Sequence, residues 1–67
     1  MKISVVIPMY NAEKTILNVL DSVQNQTFLP HEIVIVNDGS TDRSLQIVQK
    51  YKEENKKIPI QLIDKKN

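Results

Sequence analysis

The sequence contains no cysteine and a single histidine, His31. The first absence rules out a disulfide and a thiolate metal site, and the second leaves no pair of imidazoles for zinc. One glycine, Gly39, serves the whole chain. A Gly-rich turn after the first strand is therefore missing, which excludes both the dinucleotide-binding fingerprint and the P-loop. Aromatics are scarce, with one phenylalanine, two tyrosines and no tryptophan. No apolar run approaches the roughly 20 residues of a membrane-spanning helix. The stretch behind Met1 and Lys2 is too short for the apolar region of a signal peptide. A formal net charge of +1 carries no electrostatic footprint for nucleic acid or a membrane surface. The late lysines, Lys50, Lys52, Lys56, Lys57, Lys65 and Lys66, are interleaved with Glu53 and Glu54 and read as a solvated helix end. The lack of cysteine fits a reducing compartment, so the expected location is cytoplasmic, at the inner face of a membrane if a longer protein anchors there.

The chain has 67 residues, one domain at most. Below roughly 70–80 residues a core rarely supplies more than about 3–5 kcal/mol without staples. None is present, which points to a piece of something larger.

Ile3 to Ile7 is a short β-branched run closed by Pro8, the pattern of a strand. Asn11 is placed to cap a helix, with Glu13 in its first turn, where the dipole favours negative charge. Ile16, Leu20 and Val23 recur at helical spacing, with Leu17 beside them, and the helix is expected to run to about Asn25. Ile33 to Val36 is apolar on both pleat faces, as in a parallel strand covered on both sides. Asn37-Asp38-Gly39-Ser40-Thr41-Asp42 reads as a turn and a helix start, capped by Ser40 or Thr41. Leu45, Ile47, Val48 and Tyr51 form the stripe of a second helix ending near Asn55, and Ile60 to Ile63 forms an edge-like last strand behind Pro59. The predicted class is α/β, in the order β-α-β-α-β around a parallel sheet.

Crossovers between parallel strands are right-handed in about 98% of cases. If the strands step in one direction, both helices fall on one face and the other is left bare. Val6, Val34 and Val36 would face that bare side, so the rest of a domain or an oligomer partner is expected to cover it, with more strands beyond the first.

Ligands of open parallel sheets bind outside the carboxyl ends of the strands. Two neighbouring strands end here in Pro8-Met9-Tyr10-Asn11 and Asn37-Asp38-Gly39-Ser40. These residue types suit a nucleoside. An ionised Asp38 accepts only, so it can take a uracil imide N–H or a ribose hydroxyl. Tyr10 offers a ring face, and Gly39 lets the backbone turn at positive φ and approach a ligand. Taken singly, each has a plainer account: Asp-Gly-Ser-Thr-Asp is ordinary turn and cap chemistry, Tyr10 a packed loop aromatic, Glu13 helix-dipole decoration. The conjunction at neighbouring strand ends carries the argument.

Three blocks in order, Ser4 to Asn11, Leu20 to Val23 with Gln26-Thr27, and Glu32 to Asp42 with Ser44, resemble the family 2 inverting glycosyltransferases of the GT-A fold. The resemblance covers essentially all of residues 1–67 and implies the N-terminal, nucleotide-binding portion of such a domain, incomplete and ending before its metal motif. It implies that Pro8 and Tyr10 line the nucleoside pocket and that Asp38 hydrogen-bonds the base, most often uracil. Glu13 and Gly39 border the same pocket, and Asn37 stands where many relatives carry aspartate. The implied donor is a nucleotide-diphosphate sugar, a UDP-sugar above others. The reaction is inverting hexosyl transfer in polysaccharide biosynthesis, to an unspecified hydroxyl on a glycan, lipid-linked or protein acceptor, and nucleic acid is no partner. The family's Asp-x-Asp motif for Mg²⁺ or Mn²⁺ and its general base have no matching positions. The expectation is thus no catalytic and no metal-binding residue in this chain, and no turnover by the 67 residues alone. The alternative is a non-catalytic nucleotide-binding remnant or interaction module. A receiver-like or flavodoxin-like domain leaves the Pro8–Asn11 cluster unexplained.

Overall fold

A computed structural model describes residues 2–65. Strand β1 (Ser4–Met9), helix α1 (Ile16–Gln24), strand β2 (Glu32–Asp38), helix α2 (Ser44–Glu54) and strand β3 (Ile60–Lys65) alternate along the chain. The three strands form one sheet in the order β1-β2-β3, parallel throughout. This is the β-α-β-α-β arrangement and single-direction stepping expected from the pattern.

Register explains which residues meet the helices. Val5, Ile7 and Met9 of β1 pair with Ile33, Ile35 and Asn37 of β2, which pair in turn with Ile60, Leu62 and Asp64 of β3. Alternate residues share a face, so these nine line one side. Ile16, Leu20 and Val23 of α1 and Val48 and Tyr51 of α2 pack onto it in a single cluster with Met9, Ile33, Ile35, Ile58 and Ile60. Leu20, Ile33, Ile35 and Val48 are wholly buried, each worth about 1.5–3 kcal/mol of hydrophobic stabilisation. The Tyr51 hydroxyl reaches across to Asp21 Oδ1 at 3.3 Å and ties α2 to α1. Burial, then the nearby Asp21 charge, push this phenol above its usual 10.0.

The opposite face is open among the described residues. Val6 is 62% and Ile63 39% exposed, while Val34 and Val36 are half-buried. Both helices therefore lie on one side, as right-handed crossovers require.

Several boundaries differ from the sequence expectation. Pro8 does not end β1 but lies inside it, opposite Val36. An imino residue is tolerated there because β1 has one unpaired edge among the described residues. Asn37 and Asp38 belong to β2, and β3 continues through Asp64 and Lys65. Helix α1 begins at Ile16, and Asn11 is not its cap: it sits at φ 47°, in the left-handed region. The Ala12 carbonyl instead accepts from the N–H groups of Thr15 (3.0 Å) and Ile16 (2.8 Å). Nor do Ser40 or Thr41 cap α2. Asp42 Oδ1 accepts the Ser44 N–H at 2.9 Å, while Ser40 and Thr41 bond to Asn11.

Candidate nucleotide site

The carboxyl ends of β1 and β2 lie side by side, with Met9 opposite Asn37. Beyond them run two arms, Tyr10 to Thr15 leading into α1 and Gly39 to Arg43 leading into α2. Pro8 pairs with Val36, and Asp38 lies two residues further along β2. Pro8 and Asp38 thus belong to the open face rather than the helix-covered one. Both are exposed, Tyr10 is 58% exposed, and Glu13 and Gly39 are half-buried. Gly39 turns at φ 70°, a conformation that carries no steric cost without a Cβ. The five residues expected to form the site are therefore gathered at one end of the sheet, Pro8 and Asp38 in the last residues of β1 and β2 and Tyr10, Glu13 and Gly39 on the two adjoining arms.

Polar groups there fall into two sets. Among the described residues, no hydrogen bond engages the side chains of Tyr10, Glu13 or Asp38. Asn11, Ser40, Thr41, Asp42 and Ser44 around them are engaged, while the exposed Lys14 and Arg43 side chains make no hydrogen bond or ion pair among the described residues. Asn11 N–H donates to Ser40 Oγ (3.0 Å), and Asn11 Oδ1 accepts from Thr41 N–H (2.8 Å) and Thr41 Oγ1 (3.4 Å). Ala12 N–H donates to Ser44 Oγ (2.7 Å) and Glu13 N–H to Asp42 Oδ2 (3.2 Å). The Ser44 hydroxyl in turn donates to Asp42 Oδ1. Partial burial alone would raise the Asp42 carboxyl. Hydrogen bonds from the Ser44 hydroxyl and the N–H groups of Ser44 and Glu13 outweigh it and hold the group below its ordinary 3.8.

Beneath the arms lies Asn37, 2% exposed on the helix-covered face. Its Nδ2 donates to Asp64 Oδ1 of β3 (3.0 Å), and its Oδ1 accepts from Ser40 N–H (3.3 Å). These bonds fix the orientation of the amide and satisfy a polar side chain that burial would otherwise penalise.

Asn11, Asp42, Ser44 and the Asn37–Asp64 pair were not singled out as a unit from the sequence. Two signals were there: asparagine is enriched at positive φ, and Asp-x-Ser is the spacing of a side chain closing onto the N–H two residues later. A concavity of about 320 Å³, lined by Leu17, Ile47, Lys50, Tyr51 and Glu54 of the helices, contains none of the five site residues. Among the described residues no cluster of three or more His, Cys, Asp or Glu could hold a metal, and no helix is long and apolar enough to cross a membrane.

Comparison with known proteins decides the affiliation of this arrangement. The model of the family described as "Glycosyl transferase family 2" matches residues 4–67. The chain belongs to that family. Glycosyltransferase GlyA of Streptococcus pneumoniae is 46% identical over 57 residues, 85% of this chain and 8% of the relative. The poly(ribitol-phosphate) beta-N-acetylglucosaminyltransferase TarS of Staphylococcus aureus is 50% identical over 54 residues, 78% of this chain and 9% of TarS. A poly(ribitol-phosphate) beta-glucosyltransferase of Bacillus spizizenii is 47% identical over 62 residues, 90% of this chain and 10% of the relative. The crystal structure of S. aureus TarS 1-349 superposes with a TM-score of 0.79 at 43% identity, over 97% of this chain and 19% of that one. The family 2 chain thus has the α/β, GT-A-type fold expected of it, and it spans about a tenth of the length of these curated relatives.

Proposed function

We propose that this family 2 chain supplies the nucleoside-binding part of a glycosyltransferase that takes a sugar from a UDP-sugar donor and passes it to a hydroxyl with inversion. The observation that carries the reading is the pair of free, exposed groups Tyr10 and Asp38 beside Pro8, at the ends of neighbouring parallel strands. The relatives' names support a sugar transfer, and two of them name a poly(ribitol-phosphate) acceptor. A polymer hydroxyl is accordingly the acceptor class we favour.

In this reading Asp38 accepts the uracil imide N–H, Tyr10 and Pro8 flank the base, and Glu13 and Gly39 close the pocket's rim. The divalent cation of such enzymes finds no ligand cluster among the described residues, so no step is assigned to it. The acceptor's general base likewise lies outside these groups.

An ionised carboxylate discriminates between bases: uracil presents an N–H at its third ring position, where cytosine presents a lone pair. The test is calorimetric binding of UDP and CDP to the natural protein that carries this chain. UDP is expected to bind more tightly than CDP, and Asp38→Ala to weaken UDP binding by about 10-fold, the loss of one charge-assisted hydrogen bond. Equal affinity for both nucleotides, unchanged by the substitution, would remove Asp38 from the site.

A further inference from the structure

The bonding between the two arms is arranged unlike an ordinary turn ahead of a helix, α1 itself beginning at Ile16. Backbone N–H groups in such a turn are usually met by water or by neighbouring residues. Here three successive N–H groups, of Asn11, Ala12 and Glu13, all donate to side chains about thirty residues away, on Ser40, Ser44 and Asp42. The traffic is reciprocal, because Asn11 Oδ1 receives the Thr41 N–H in return. The Ser44 and Asp42 side chains are joined to each other, and Ser44 is fully buried. Through Ser40 N–H the seam continues to Asn37 and on to Asp64 in β3.

Asn11 is the most informative member. At φ 47° it occupies a conformation that glycine would adopt without cost. A turn needing only that backbone shape has no use for the side chain. The Asn11 side chain has one, since its Oδ1 is the acceptor that holds Thr41.

We propose that the seam between the arms is a positioning device for the nucleotide site, with Asn11 as the positioning residue that closes it. It sets the Tyr10–Glu13 arm against the Asp38–Gly39 arm before ligand arrives, so that binding pays little to order either. The side chains of Asn11, Ser40, Asp42 and Ser44 are all occupied in the seam, whereas those of Tyr10, Glu13 and Asp38, expected to meet the nucleotide, make no hydrogen bond among the described residues. This rests on the nucleotide reading above and assigns Asn11 no contact with ligand.

The experiment measures UDP affinity calorimetrically for the natural protein and for Asp38→Ala, Asn11→Gly and Asn11→Asp, each alongside its melting temperature. Asn11→Gly keeps the backbone conformation and deletes the acceptor, whereas Asn11→Asp keeps an acceptor oxygen in place. Asn11→Gly is expected to weaken UDP binding by about 3- to 10-fold, the effect of one hydrogen bond, at a temperature where the variant is fully folded. Asn11→Asp should recover most of the loss. In turnover the same change should appear in the donor KM with kcat little altered. If Asp38→Ala loses binding and Asn11→Gly binds like the natural protein, the proposal falls and the nucleotide reading stands. Equal loss in Asn11→Gly and Asn11→Asp, tracking a fall in melting temperature, also overturns it. If the natural protein does not bind UDP, or Asp38→Ala binds unchanged, the nucleotide reading and this proposal fall together.

Discussion

Replacing Asn37 by aspartate changes one donor group into an acceptor and places two carboxylates against each other. Asn37 Nδ2 lies 3.0 Å from Asp64 Oδ1, so Asn37→Asp loses that hydrogen bond and gains a like-charge contact at the same distance. Two unit charges 3 Å apart repel by about 1.4 kcal/mol at the dielectric constant of water and about 5.5 kcal/mol at an effective value near 20. Asp64 is exposed and Asn37 is buried, which puts the pair between these limits. Protonation sets a ceiling: neutralising one carboxyl with an ordinary value near 3.9 costs about 4 kcal/mol at pH 7. The expected destabilisation at pH 7 is therefore about 2–4 kcal/mol. Its pH dependence has a definite sign. One carboxyl of the folded pair has its pKa raised above the unfolded value, so the folded state holds an extra proton in the window between the two. The penalty is full above the raised value and disappears below the unfolded value, where the protonated carboxyl donates to its neighbour. Urea unfolding at pH 7 and at pH 4 measures both limbs, and Asn37→Asp combined with Asp64→Asn should recover most of the loss. An Asn37→Asp variant equally destabilised at both pH values, or not at all at pH 7, would show that the Asn37–Asp64 bond is not made as described.

Leu20 is wholly buried between α1 and the sheet, and Leu20→Ala should cost about 2–5 kcal/mol by urea unfolding, enough to unfold an isolated chain of this size. Asp42 is held below 3.8 by hydrogen bonds that outweigh its desolvation, so it contributes stability above its unfolded pKa that is lost as pH falls through the lower folded value. Asp42→Asn should flatten that acid limb in a pH series of melting temperatures, and an unchanged acid limb would refute the assignment.

The strands and helices were legible because their signals are local. Ile16, Leu20 and Val23 stand on one helical face by spacing alone, and Ile33 to Val36 are apolar on both pleat faces. Handedness then placed both helices on one side, which the buried cluster bears out. The start of α1 was not legible. Asn11 has the composition of a cap, but its N–H and Oδ1 are committed to Ser40 and Thr41, partners that no window of neighbouring residues contains. Asn37 shows the same limit from the other side. Its parity with Ile33 and Ile35 already put it on the covered face, but a buried amide reads as a turn residue until Asp64 and the Ser40 N–H supply its partners.

A chain with a single glycine cannot build a phosphate cradle from consecutive backbone N–H groups free to turn towards a ligand. Here three of the N–H groups in the position where such a cradle would stand, those of Asn11, Ala12 and Glu13, are spent on Ser40, Ser44 and Asp42. They are therefore not free to meet a pyrophosphate. What remains open to solvent at the strand ends is the Asp38 carboxylate, the Tyr10 phenol and the edge of Pro8, groups that suit a base and a ribose, with the exposed cations Lys14 and Arg43 further along the two arms. The division has a consequence for the proposed nucleotide site. If a nucleoside diphosphate is the ligand, its charge falls to side chains, Lys14 and Arg43 on these arms or others outside the described residues, rather than to a backbone cradle. A base held between Pro8 and Asp38 would lie on the open side of the sheet, where Val6 and Ile63 are uncovered. Covering that apolar face and completing the nucleotide site are then one structural requirement, because the two lie on the same side of the same three strands.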